Sequence, residues 1–382
     1  MSSERKLFFL LKLTLYTLPF ALAFLLLSGF MVYTGEAMPL EIVARLQMGD
    51  QPILFRPRYG ARDLDFKTIS ANLRQPEILA VGSSRLLQFR SMFFNRQPRA
   101  FYNAAAPAWE LAQVQQFLAG LSFTPRILIL NLDQPIFNDA WVKPYDAPQV
   151  SDFANLFQVN RSFMQEVFSG VISKEGFDFG RYLARIEPGL GGTALGLRAI
   201  RDGHGFRNDG SEQYGDFLVA HWLDPQAERQ RHLDLVRDGG EMYVYGDTVS
   251  AARLQQLDDV LRWCDQRGIT VIGFLPSFMP TLYQQIMTDG NHSYLQKLDA
   301  ALAPIFERYG FAYFNFSDGA TLGATDDDFF DGWHASERIN LRLYSQMRAA
   351  LPDLLGDYSD PAFLAAADAS STDTFNLFGN QF

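Results

Sequence analysis

Two serines close the apolar run "EILAVG", residues 77 to 82, which continues as Gly82-Ser83-Ser84-Arg85, and far along the chain Asp331 and His334 stand three apart in "DDDFFDGWHASER". A serine hydroxyl, an imidazole and a carboxylate supply a nucleophile, a general base and the group that orients the base, which is the machinery of acyl transfer. D-x-x-H alone is an ordinary loop pattern. Its weight comes from the conjunction, since the other four histidines, His204, His221, His232 and His292, fall in segments with no comparable partner. A serine just after a strand also serves as a helix N-cap. Arg85 is awkward there, because a cation in a first helical turn opposes the helix dipole; a carboxylate of the fold or an anionic substrate group is needed to hold it.

The elements that must position these groups alternate. "EILAVG" (77 to 82), "RAFYNAA" (99 to 105), "RILILNL" (126 to 132), "TVIGFLP" (270 to 276) and "AYFNFS" (312 to 317) read as buried strands. Between them, residues 109 to 121, 251 to 268 and 294 to 310 repeat apolar positions at three and four and stop at or near glycine, as helices do. Such alternation predicts an α/β fold with a parallel sheet covered on both faces, and ligands bind outside the carboxyl ends of such strands. Both the serines and Asp331 to His334 follow predicted strands and fall at that edge. An insertion of about residues 134 to 250 separates the third strand from the fourth, far longer than a usual connection.

The net charge of -10 comes without a stripe of Lys and Arg among aromatics, so nucleic acid is excluded as a partner. Cys264 is the single cysteine, leaving no disulfide and no thiolate cluster. Asp326-Asp327-Asp328 lacks the spacing of a calcium loop and reads as a solvated acidic run. "VGSSR" has neither a G-x-G-x-x-G turn nor a P-loop lysine. No metal and no cofactor is expected.

Residues 13 to 33 are uncharged and apolar over the roughly 20 residues that a membrane span needs, with Arg5, Lys6 and Lys12 ahead of them. The leading positive charge predicts a cytoplasmic N-terminus (1 to 12), a single-pass anchor in the cytoplasmic membrane and a periplasmic or extracytoplasmic remainder. A signal peptide cleaved near Gly35 and Ala37 is the rival, disfavoured by the length of the apolar run. Beyond the anchor we expect a linker (34 to 65), one domain (66 to 355) and a flexible tail (356 to 382); a chain beginning near residue 40 should be soluble.

Gly82-Ser83-Ser84, "YNAAAPA" (102 to 108), "LILNLD" (128 to 133) and Asp331-x-x-His334 resemble, in order, the four blocks of the SGNH (GDSL-like) hydrolase superfamily. Among its branches the chain is most similar to the membrane-anchored members of cell-envelope acylation, including the D-alanyl-lipoteichoic acid transfer protein and the alginate O-acetylation proteins. The resemblance covers residues 76 to 350 in outline and implies a three-layer, flavodoxin-like parallel sheet. It implies Ser84 as nucleophile, with Ser83 in the place of the family's Asp, His334 as base and Asp331 as its orienter. The oxyanion hole it implies is made of the N–H groups of Ser84 and Ala105 and a side-chain amide of the third block. The family's glycine is Ala105 here, and its asparagine falls on Asp133, where an ionised carboxylate would repel an oxyanion. A shift of two residues puts Asn131 there instead, and strand periodicity keeps both on one face.

The resemblance also implies the substrates: an acyl donor and an envelope glycan, with a membrane-bound acyltransferase as a further candidate partner. In the insertion, aromatics such as Trp141 and Tyr145 either pack a core or form a cap over a sugar, and Arg207, Asp209 and Tyr214 are candidates for substrate contact beside Arg85. The expected function is O-acyl, foremost O-acetyl, transfer or ester hydrolysis on an envelope or secreted glycan. The alternative is a glycan-binding or scaffold protein of a polysaccharide assembly with a weakened oxyanion hole.

Overall fold

The computed structural model describes residues 3–60, 62–105, 110–141, 151–172, 176–189, 191–370 and 373–379. Its strands are β1 (Ile53–Phe55), β2 (Ile78–Val81), β3 (Phe101–Asn103), β4 (Ile127–Asn131), β5 (Thr193–Leu195), β6 (Gly205–Phe206), β7 (Glu212–Gln213), β8 (Thr270–Leu275) and β9 (Ala312–Asn315). The main sheet runs β3-β2-β4-β8-β9, with every neighbouring pair parallel. These are the five strands that the apolar runs predict, and the chain winds outward in both directions from β2 and β4. The carboxyl edge between those two strands is therefore the topological switch point, the place where ligands bind in such sheets.

Period-two alternation divides the strands between two cores. Ile78, Ala80, Ile127, Ile129, Ile272 and Phe274 face one, and Leu79, Val81, Leu128, Leu130, Val271 and Leu275 face the other. The second core is closed by helices Leu111–Ala119, Ala251–Asp265 and Leu298–Arg308, close to the predicted spans. The first is closed by helices Asp63–Arg74, Pro280–Thr288 and Glu337–Ala350, through Phe66, Leu282, Ile286, Ile339, Leu343 and Met347. Both faces being apolar explains why the strands read as continuous hydrophobic runs.

Two segments differ from expectation. The supposed linker carries helix Leu40–Leu46 and β1, which pairs in a mixed sheet, β5-β1-β6-β7, with three strands of the insertion. Strands of two and three residues are too short to show a period, and their partners lie far off in sequence. The tail holds helix Pro361–Ser370 and buries Leu364, Phe375 and Phe378. Its abundance of Ala, Ser and Asp hid three well-spaced apolar anchors.

One long apolar helix, Ser3–Tyr33, opens the chain and is by length and composition fit to cross a membrane or to serve as a signal sequence. Its end is built into the domain. Met31, Thr34, Glu36 and Ala37 are buried, and the Glu36 carboxylate accepts the N–H groups of Arg58 at 3.0 Å, Tyr59 at 2.6 Å and Leu197 at 2.8 Å. The residues of the rival cleavage site thus belong to the folded core.

Candidate active site

At the end of β2 the backbone of Gly82 passes so close to β4 that a Cβ there would lie 2.5 Å from that of Asn131. Glycine is required, and its smallness brings the two loops together. The following serines divide the roles that either could take. Ser83 is the cap: its Oγ accepts the Arg85 N–H at 3.2 Å, while Asn131 Oδ1 accepts its N–H at 3.1 Å and its hydroxyl at 3.0 Å. Ser84 opens a single 3-10 turn, stays half-buried, and its Oγ lies 2.7 Å from His334 Nε2.

His334 is oriented in turn by Asp331. Nδ1 stands 2.6 Å from Asp331 Oδ2, and Asp331 Oδ1 accepts the N–H groups of Trp333 at 2.9 Å and His334 at 2.7 Å. A carboxylate at Nδ1 fixes the proton there and leaves Nε2 free to take the one on Ser84. Burial works against the Asp331 carboxylate, but His334, by charge and hydrogen bond, and His232 further off hold its pKa down to about 2. Phe330 stacks on the His334 ring at 5.1 Å and Tyr214 meets it edge-on at 6.2 Å, so the imidazole is walled by aromatics.

The oxyanion expectations fare unequally. Among the described residues nothing accepts the Ser84 N–H. The Ala105 N–H is taken by Asn103 Oδ1 at 2.9 Å, so it is not free as a donor. Asn131, whose Oδ1 is committed to Ser83, turns its amide NH2 toward Asp133 Oδ1 at 3.3 Å. Of Asn131 and Asp133, Asn131 is therefore the one that bonds the serines, with Asp133 as its acceptor.

Arg85 is held by the fold. Its guanidinium donates to Trp333 O, Gln134 Oε1, Pro276 O and Ser277 O, lies over the rings of Trp333 and Phe278, and has Asp133 3.8 Å away. Burial lowers its pKa to about 10 in spite of Asp133. It sits beneath the site and braces the backbone next to His334 instead of facing a substrate. Asp209 is likewise structural: it accepts from Arg90, Ser91 and Ser211, and Arg90 also binds Glu337 at 2.8 Å. Arg207 is buried, donates to Glu212 O at 2.8 Å, and among the described residues its Nε and Nη2 have no partners. Among the described insertion candidates only Tyr214 reaches His334. Trp141 packs in the second core, and Tyr145 lies outside the described residues.

Three of the other histidines do have carboxylate partners. His204 is held between Asp216 and Glu212, His292 by Asp289 at 2.7 Å, and His232 Nε2 lies 3.9 Å from Asp331 Oδ2, with Nδ1 2.7 Å from the Tyr243 hydroxyl. His232 was invisible as a site residue because its helix, Pro225–Asp238, is remote in sequence from Asp331. No metal-binding group of His, Cys, Asp or Glu occurs among the described residues, and Asp326 and Asp328 are engaged by Thr281 and Thr325.

Compared with known proteins, the chain matches no family model, no curated protein and no solved structure.

Proposed function

We propose that the protein is a membrane-anchored, extracytoplasmic serine acyltransferase or esterase of the SGNH type, acting on O-acyl groups, acetyl foremost, of an envelope or secreted glycan. The observation that carries the reading is the unbroken chain from Ser84 Oγ through the His334 ring to Asp331, at 2.7 and 2.6 Å. The strand order, second-first-third-fourth-fifth, is that of flavodoxin-like sheets, and the triad stands at their usual ligand crevice.

In this reading Ser84 Oγ attacks the acyl carbonyl as His334 Nε2 takes its proton, and the imidazolium formed is stabilised by Asp331. The Ser84 N–H and the Asn131 amide receive the oxyanion. His334 then returns the proton to the departing alkoxide, leaving acyl-Ser84, which a sugar hydroxyl or water attacks with His334 again as base. The long insertion and the tether favour a sugar hydroxyl, since exclusion of water protects the intermediate.

A glycan-binding scaffold is the second reading, favoured by the engagement of the Ala105 N–H. Labelling with a fluorophosphonate separates the two. The enzyme reading expects an adduct on Ser84 that survives Ser83→Ala and is lost in Ser84→Ala; a folded protein that never labels at Ser84 refutes it.

A further inference from the structure

The insertion packs along the outer end of the N-terminal helix and leaves aromatic side chains bare beside it. In helix Asp152–Ser169, the Phe157 ring lies 5.0 Å from that of Phe24, and Asn160 Nδ2 donates to Ser28 Oγ at 2.7 Å. Phe153 meets Phe157 edge-on at 5.0 Å, and further along the chain Phe179 stacks on Phe30 at 5.3 Å. These contacts cover little of them: Phe153 is 70%, Phe157 49% and Phe179 55% exposed. Single exposed apolar residues are ordinary on a protein surface. These form a patch continuous with the bare side chains of the N-terminal helix, for which hydrocarbon is the natural solvent.

Depth follows from helix geometry. A hydrocarbon layer of about 30 Å takes about 20 residues at 1.5 Å each. Counted from Leu7, just past Lys6, that stretch ends near Leu26; counted from Leu13, just past Lys12, it ends near Val32. Either way Phe24 lies in the outer half of the layer, and Phe157, packed on it, shares its depth. The boundary is marked on the same side by Tyr33, whose hydroxyl donates to Leu183 O at 2.9 Å and whose ring lies 4.3 Å from the Arg185 guanidinium. Tyrosine and arginine suit the headgroup region.

We propose that Phe153, Phe157 and Phe179 are immersed in the outer leaflet of the bilayer that the N-terminal helix crosses. They form a second, non-spanning contact that fixes the orientation of the domain on the membrane. The inference rests on the reading of that helix as an uncleaved span.

The test places the environment-sensitive fluorophore NBD on Phe153→Cys, Phe157→Cys or Phe179→Cys in full-length protein carrying Cys264→Ala, with Asp327→Cys as an exposed control. The proteins are reconstituted in phosphatidylcholine–phosphatidylglycerol vesicles. Blue-shifted emission at the three patch sites, quenched by doxyl lipids and absent at position 327, is expected. Phe153 is the primary site, because it contacts the fold through Phe157 and its loss disturbs packing least. Water-like emission at all three, from protein that stays with the vesicles after an alkaline wash, overturns the inference and leaves the anchor standing. Release by that wash overturns the anchor and the inference together. A shift seen in native membranes and not in pure lipid assigns the patch to another protein and also overturns it.

Discussion

Asp331 faces two histidines through one oxygen: His334 Nδ1 at 2.6 Å and His232 Nε2 at 3.9 Å both approach Oδ2. The nearer ring orients toward Ser84. The farther one, tied to Tyr243 and beside the Arg231 guanidinium, comes from the insertion and brings it within 3.9 Å of the same carboxylate.

The first prediction concerns that proximity. Burial pushes the His232 imidazole below its ordinary value against the pull of Asp331, so it is neutral at neutral pH. At lower pH it charges and competes for the carboxylate. The wild-type acid limb of kcat/KM on p-nitrophenyl acetate should therefore steepen from one proton toward two as pH falls below about 6.5, the ordinary histidine value. His232→Gln should keep a single-proton slope throughout and lose less than about tenfold at pH 8. Identical limbs would leave His232 a purely structural residue.

Asn131 carries the second. Its Oδ1 holds the Ser83 N–H and hydroxyl, and its amide NH2, on the same side chain, donates to Asp133. Asn131→Ala should lower kcat by about 10² to 10³, as loss of an oxyanion donor does. Asp133→Asn, which keeps an acceptor for the Asn131 amide, should lose less than about tenfold. Equal losses, with unchanged melting temperatures, would remove Asn131 from the oxyanion hole.

Legibility followed sequence distance and period. The five main strands stood out because each is apolar on both faces, and Ser84, Asp331 and His334, which the structure brings together, drew notice by residue type and by following the first and the fifth of those strands. The choice between Ser83 and Ser84 did not follow from type; it is made by Asn131, whose carbonyl claims Ser83 and leaves Ser84 to His334. Arg85 looked like a binding residue because its acceptors, backbone carbonyls at 276, 277 and 333, leave no mark on a sequence. The same holds for Ala105, silenced by a local Asn103 turn, and for β1, whose partners lie in the insertion.

Arg85 gives the third prediction. Its planar fork serves four acceptors between two aromatic rings, a geometry that a lysine ammonium does not reproduce. Arg85→Lys should destabilise the domain by about 3 kcal/mol, the scale for breaking a buried charge network. Urea denaturation checks it. Weaker ester turnover with intact stability would instead return Arg85 to substrate contact.

Lys67 sets a pH dependence of stability. It is buried, donates to the carbonyls of Asn103 and Gly210, and burial lowers its pKa from 10.5 to about 7. Between those values the unfolded chain binds a proton that the folded one does not, so this residue's contribution to stability rises with pH across the window. Lys67→Met removes the titration. The stability of the variant relative to wild type should fall steadily from pH 7 to 10 in thermal unfolding; a constant difference would mean that Lys67 keeps its ordinary pKa in the fold.

The last prediction concerns where the folded domain begins. A chain starting near residue 40 should be soluble by composition, but it lacks Met31 from the core and the Glu36 carboxylate from three backbone N–H groups at Arg58, Tyr59 and Leu197. Those donors join β1's exit to the turn after β5, so their loss loosens the small sheet on which the insertion is built. Each buried donor left unsatisfied costs about 1 to 3 kcal/mol, with water repairing those that become exposed. A chain of residues 40 to 382 should therefore melt about 5 °C or more below one of residues 27 to 382 in the same detergent. Glu36→Ala in the longer chain should reproduce part of that loss. Equal melting temperatures would place the domain boundary after residue 39 and restore cleavage near Ala37 as compatible with a stable product.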